Sequence, residues 1–162
     1  MPERRALAIV WHSRTGANEA MARAVAEGAG ELGLLVPAQD ADGETLIAAS
    51  AYVFVCPENL GSMSGIMKDM FDRTYYPVLG RIEGRAYATA IAAGSDGEGA
   101  ERQIDRIAKG WRLRRAAEPL IVNLGAQSPE TILAWKSVSK ESLERCHDLG
   151  KALAEGIRLG IY

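Results

Sequence analysis

Residues 6–18, ALAIVWHSRTGAN, decide the fold. ALAIVW at 6–11 has no polar alternation, so both faces of the segment must be buried, as in a parallel strand covered by helices on each side. HSRTGAN supplies a tight polar turn. Behind it Met21, Val25, Gly28 and Leu32 recur at steps of four, three and four, the stripe of a helix packed on that strand.

Outward from this unit the pattern repeats. AYVFVC (51–56), YATAIAA (87–93) and PLIVNL (119–124) read as further buried strands, and LLVPA (34–38) as a weaker second strand. Helical spacing joins Met63, Ile66, Met67, Met70, Phe71 and Thr74, with Lys68, Asp69, Asp72 and Arg73 opposite. It joins Ile104, Ile107, Ala108 and Trp111 within 98–112, and Leu143, Cys146, Gly150, Leu153 and Ile157 within 140–158. Ser139 is the expected N-cap of the last helix, with Glu141 placed for its dipole; residues 43–49 make a short second helix. Five strands and five helices in βαβα order predict one α/β domain over residues 1–162. The expected architecture is a doubly wound three-layer sandwich, its five-stranded parallel sheet in the order 2-1-3-4-5. Ligands then belong at the carboxyl ends of the first and third strands, so the loops after residues 11, 56 and 93 should hold the function.

Charge narrows the function. Nineteen Lys and Arg against 21 Asp and Glu leave −2 on 162 residues, 48% of them hydrophobic. That suffices for a packed core and offers no global footprint for nucleic acid or an anionic membrane. The apolar runs fall far short of the roughly 20 residues that span a bilayer. MPERR at 1–5 leads into only six apolar residues, which is not a secretory signal, so the expected location is cytoplasmic. Cys56 and Cys146 form no C-x-x-C pair, and two His with two Cys lack metal spacing, so neither a disulfide nor a metal site is expected.

The first loop holds Ser13, Arg14, Thr15, Gly16, Ala17 and Asn18. Side-chain donors beside a glycine that lets several N–H groups converge make an anion site suited to a phosphate. An N-capped turn without a ligand has the same composition. The loop is neither a Walker sequence nor a G-x-G-x-x-G fingerprint, and Trp11 and His12 stand where a phosphorelay receiver needs paired acids. In the second loop, CPENLGSMSGIMKDMFDR at 56–73, Pro57 ends the strand and Gly61 permits close backbone approach. Backbone donors among apolar neighbours suit the edge and face of a flat heterocycle. Met67 and Met70 belong to the packing face, whereas Met63 stands at the helix entrance. The third loop, AAGSDGEGAERQ at 92–103, offers three glycines before a helix, as a ligand cradle or as a flexible connection.

SRTGAN, PENLGSMSGIMKDMFDR and GSDGEG, in this order and spacing, resemble the flavodoxin-like NAD(P)H-dependent FMN reductases and quinone reductases of the WrbA type over roughly residues 5–110. The resemblance implies an FMN-binding flavoprotein. Ser13, Arg14, Thr15, Gly16, Ala17 and Asn18 would hold the FMN phosphate. Pro57, Glu58, Asn59, Leu60, Gly61, Ser62 and Met63 would line the isoalloxazine, and Ala93, Gly94, Ser95, Asp96 and Gly97 would contact its other edge. Asn59 occupies a position that is often aromatic in the family. NAD(P)H as co-substrate, a quinone or other small acceptor, and homo-oligomers in which a neighbour covers the flavin are also implied. The alternative is a non-enzymatic electron carrier of flavodoxin type. Such carriers are strongly acidic, so −2 with Arg14, Arg81, Arg85 and a 109–115 basic cluster favours a reductase. No catalytic acid or base is assigned, because hydride passes between stacked rings and the protein supplies orientation and electrostatics.

Several residues keep two readings. His12 borders the first loop as a turn residue or as a group titrating near neutrality. Lys109, Arg112, Arg114 and Arg115 are expected to close the fourth helix as a solvated cap, with an NADPH phosphate or an acidic partner as the other reading. His147 reads as surface, and Trp111 and Trp135 as core or interface.

Overall fold

The computed structural model describes residues 6–162, so the reading of MPERR falls outside the described residues. Its strands are β1 (Leu7–Trp11), β2 (Gly33–Pro37), β3 (Ala51–Asn59), β4 (Ser62–Met63), β5 (Ala86–Ala93), β6 (Arg114–Arg115) and β7 (Leu120–Asn123). Its helices are α1 (Ala17–Ala29), α2 (Gly43–Ala48), α3 (Gly65–Val78), α4 (Glu98–Gly110), α5 (Pro129–Leu133) and α6 (Lys140–Arg158).

The parallel sheet runs β2-β1-β3-β5, and both β6 and β7 pair with β5 on its far side, at Ala86–Tyr87 and Ala90–Ala93. Together they take the place of the fifth strand, so the order 2-1-3-4-5 stands and the fold is flavodoxin-like. The break between them contains Pro119, which has no N–H to give to the ladder.

Alternate residues of each central strand face two separate cores. Ala8, Val10, Tyr52, Phe54, Cys56, Tyr87 and Ile91 meet Leu46, Met67, Phe71, Ile104 and Trp111 from α2, α3 and the α4 end. Leu7, Ile9, Val53, Val55 and the alanines of β5 meet Met21, Val25, Cys146, Leu153 and Ile157 from α1 and α6. The bulk of β5 sits on the first face and only alanine on the second. Phe71 links the rings of Phe54 and Trp111 at 5.1 and 5.5 Å between centroids. Full burial of such side chains is worth about 1.5–3 kcal/mol each. Trp111 is therefore a core residue.

Several boundaries differ from expectation. Pro57 does not end the third strand: it pairs with Ala92, and β3 continues to Asn59 before turning back as a hairpin with β4. Met63 consequently belongs to β4, and α3 begins at Gly65. α1 stops at Ala29, where Gly30 takes φ +62°, so Leu32 lies in a following 3-10 turn. β4 and α5, of two and five residues, are too short to leave a periodic signal.

Candidate functional site

The carboxyl ends of β1, β3 and β5 open into one cleft of about 290 Å³. Arg14, Thr15, Ala17 and Asn18 form one end, Pro57 to Gly61 one wall, and Ala92 to Ser95 another. Leu124, Ala126, Ile132 and Lys136 complete it. The structure thus brings the three loops together beside the point between β1 and β3 where the winding reverses.

The first loop is built as an anion cradle. Gly16, the N-cap of α1, has φ +96°, and no side chain caps the helix. The positive φ favours glycine here, and a Cβ would also lie 2.5 Å from the exposed Trp135 ring, which would have to shift. The Ser13 hydroxyl does not line the cleft; it accepts the Gly16 N–H at 3.1 Å and so fixes the turn. Asn18 is 2% exposed, lines the cleft, and its Nδ2 has no hydrogen-bond partner. A buried amide without a partner costs about 1–3 kcal/mol unless something else accepts its hydrogens.

The second and third loops are clamped to one another. Glu58 lines the cleft, but its carboxylate accepts the N–H groups of Gly97 and Ala100 at 2.9 and 3.0 Å, capping α4. Gln103 accepts the Met63 N–H at 2.9 Å and donates to the Ser62 hydroxyl at 3.3 Å. Ser62, Met63, Asp96 and Gly97 do not line the cleft; Met63 is buried in the core and Asp96 is exposed. Leu60 and Gly61 form the hairpin tip, and Leu60 is fully exposed at the mouth.

His12 lies outside the cleft lining. Its Nδ1 is 2.8 Å from the Ser64 hydroxyl, and burial holds its pKa below the ordinary value. Cys56 is buried beside Ser64, and desolvation pushes its thiol up to about 12, so it stays neutral. Of the basic cluster, Lys109 stands exposed in the last turn of α4 and Arg112 and Arg114 are exposed, while Arg115 departs from the solvated-cap reading. α4 ends at Gly110, and Arg115 lies in a strand, not in a helix cap. Its guanidinium pairs with Glu101 and Asp105 and stacks on Tyr87, while Lys109 pairs with Asp105 at 2.7 Å. Burial opposes ionisation of Asp105, but the contacts from Lys109, Tyr87 and Arg115 outweigh it and leave the pKa low. None of Lys109, Arg112, Arg114 and Arg115 lines the cleft, and Arg115 is held by Glu101 in the first turn of α4 and by Asp105 one turn further on.

Sequence reasoning missed the fourth wall, from Leu124 to Lys136. Its signal was Ser128-Pro129 with Thr131, a capping box with proline at the first helical position. The Lys136 N–H donates to the Thr15 carbonyl at 2.8 Å and ties this wall to the first loop.

Among the described residues no helix is long and apolar enough to cross a membrane, and no three His, Cys, Asp or Glu gather as a metal site. Comparison with curated proteins gives no match. Among solved structures, a flavodoxin from the domain Archaea superposes with TM-score 0.78 at 19% identity, over 94% of this chain and 99% of that one. A WrbA-like flavodoxin from Agrobacterium tumefaciens superposes with TM-score 0.69 at 24% identity, over 96% and 98%. Rubredoxin oxygen:oxidoreductase from Desulfovibrio gigas gives 0.76 at 14%, this chain matching 37% of its length. At these identities the likeness is one of fold. Residues 36–116 match the family described as NADPH-dependent FMN reductase, which is half the sequence, and the chain belongs to that family.

Proposed function

We propose that the protein is an FMN-binding oxidoreductase that takes reducing equivalents from NAD(P)H and delivers them to a quinone or another small acceptor. The carrying observation is the convergence of three loops in one cleft whose phosphate-like end holds an uncapped helix N-terminus and the unpartnered, buried amide of Asn18. An anion accepting that amide hydrogen removes its desolvation cost, so the residues present fit the FMN phosphate.

In this reading Thr15, Ala17 and Asn18 bind the phosphate, with Gly16 shaping the turn and Ser13 holding it. Pro57, Asn59, Leu60 and Gly61 flank one side of the ring, and Ala93, Gly94 and Ser95 the other. Glu58 and Gln103 position the hairpin by tying it to α4. When bound, FMN supplies hydride acceptance and onward electron transfer. Glu58 is engaged at α4, and the other charged side chains of the lining are Arg14 and Lys136, the latter held on two carbonyls. The chain accordingly orients and desolvates rather than moving a proton. Assembly into a homo-oligomer belongs to the same proposal.

The electron-carrier reading has one observation in its favour, the end-to-end superposition on an archaeal flavodoxin. Anaerobic mixing of the FMN-loaded protein with NADH or NADPH separates the two. Bleaching of the flavin absorbance by either nucleotide is expected. If only chemical reductants bleach it, the carrier reading replaces the reductase.

A further inference from the structure

We propose that Lys136 makes this cleft prefer a phosphorylated flavin over riboflavin, by fixing an ammonium charge beside the first loop. The proposal rests on the flavin reading above and assigns a specificity residue from outside both the three loops and the family match, which ends at residue 116.

The backbone ties the residue to the first loop, and its side chain lines the cleft. The Lys136 N–H donates to the Thr15 carbonyl at 2.8 Å, and the neighbouring Trp135 ring lies against Gly16. The Ser128–Thr131 capping box starts the short helix that delivers both. The Lys136 ammonium donates to the carbonyls of Ile132 at 2.8 Å and Ala134 at 2.5 Å. An ammonium has three donors, so one donor and the whole charge stay available to a ligand. Among the described residues no carboxylate lies within ion-pair distance of Lys136 or of Arg14. Glu58, the carboxylate in the cleft lining, is turned onto the start of α4. Arg14 is exposed, where solvent and salt screen its charge. Asn18 and the N–H groups of α1 would meet an anion as neutral donors, whereas Lys136, a half-buried residue, adds a charge held on two carbonyls. Its carbonyl contacts fix the side chain before any ligand arrives, so little rotamer entropy is lost on binding.

A purely structural Lys136 would only close α5. The two roles separate in titrations of FMN and riboflavin, followed by flavin fluorescence at low and high salt, for wild type, Lys136→Gln and Lys136→Met. Gln keeps a donor for the two carbonyls and loses the charge; Met loses both. We expect FMN affinity to fall about tenfold or more in each variant at low salt, riboflavin affinity to hold, and the salt dependence of FMN binding to flatten. If Lys136→Gln keeps the wild-type ratio of FMN to riboflavin affinity, or if both flavins weaken in parallel, the assignment is overturned while the flavin reading stands. If wild type binds neither flavin, that reading fails and takes this one with it.

Discussion

Leu60 shows how the site opposes local backbone preference. It holds φ +53° at the hairpin tip, followed by Gly61 at +74°, with its side chain wholly in solvent. Two positive φ values define the turn that Asn-Gly favours, and an L-residue other than glycine or asparagine pays about 1–2 kcal/mol there. Leu60→Asn should raise stability by about 1 kcal/mol, read from the denaturant midpoint, and should weaken FMN binding if leucine is retained to cover the cleft. A destabilised Leu60→Asn protein would show that the turn carries no such strain. His12 adds a pH dependence of known sign. Burial lowers its pKa below the ordinary 6.5, so the folded state favours the neutral ring. Its contribution to stability is complete above that value and is lost as pH falls through the lowered folded pKa. His12→Gln can still hydrogen-bond Ser64 and should flatten the acid-side loss of stability. Parallel loss in variant and wild type would remove His12 as its source.

Among the elements, α1 and α6 depend on two glycines that meet the opposing backbone. A Cβ at Gly150 would stand 1.9 Å from the Val25 carbonyl oxygen, and one at Gly28 1.9 Å from that of His147. Gly150→Ala forces the helices apart and should cost about 2 kcal/mol or more. Gly65→Ala, with open space around it at the start of α3, should be neutral or mildly stabilising. Equal stability of the two variants would contradict this packing. The sequence carried the long elements because their burial is periodic: Met67, Met70 and Phe71 on α3, and Cys146, Leu153 and Ile157 on α6, are all buried as their spacing required. It carried the cleft wherever glycine and hydroxyl residues cluster after a strand, as at Thr15 to Asn18. It did not carry Lys136, because its importance comes from a backbone bond to Thr15, 121 residues earlier by subtraction of their numbers. Arg115 was misread for a similar reason. Its partners Glu101 and Asp105 lie on the preceding helix, and only the turn at Trp111 to Leu113 brings the strand back beside them.

Taken as a whole molecule, charge is divided between paired and unpaired groups. Arg115, Lys109 and their carboxylate partners knit α4 to the sheet, while Arg14 and Lys136 line the cleft without ion-pair partners among the described residues. A net charge of −2 gives no strong field for docking on a basic protein, which fits a small-molecule acceptor better than a carrier's partner. All of this depends on the cleft being a flavin site with its phosphate at the start of α1. The direct measurement is titration of flavin-free protein with FMN and with riboflavin, followed by visible absorbance and flavin fluorescence. The expected result is one FMN per chain bound at micromolar concentration or tighter, with riboflavin bound clearly more weakly. No binding at micromolar FMN, or equal affinity for the two flavins, would contradict the account.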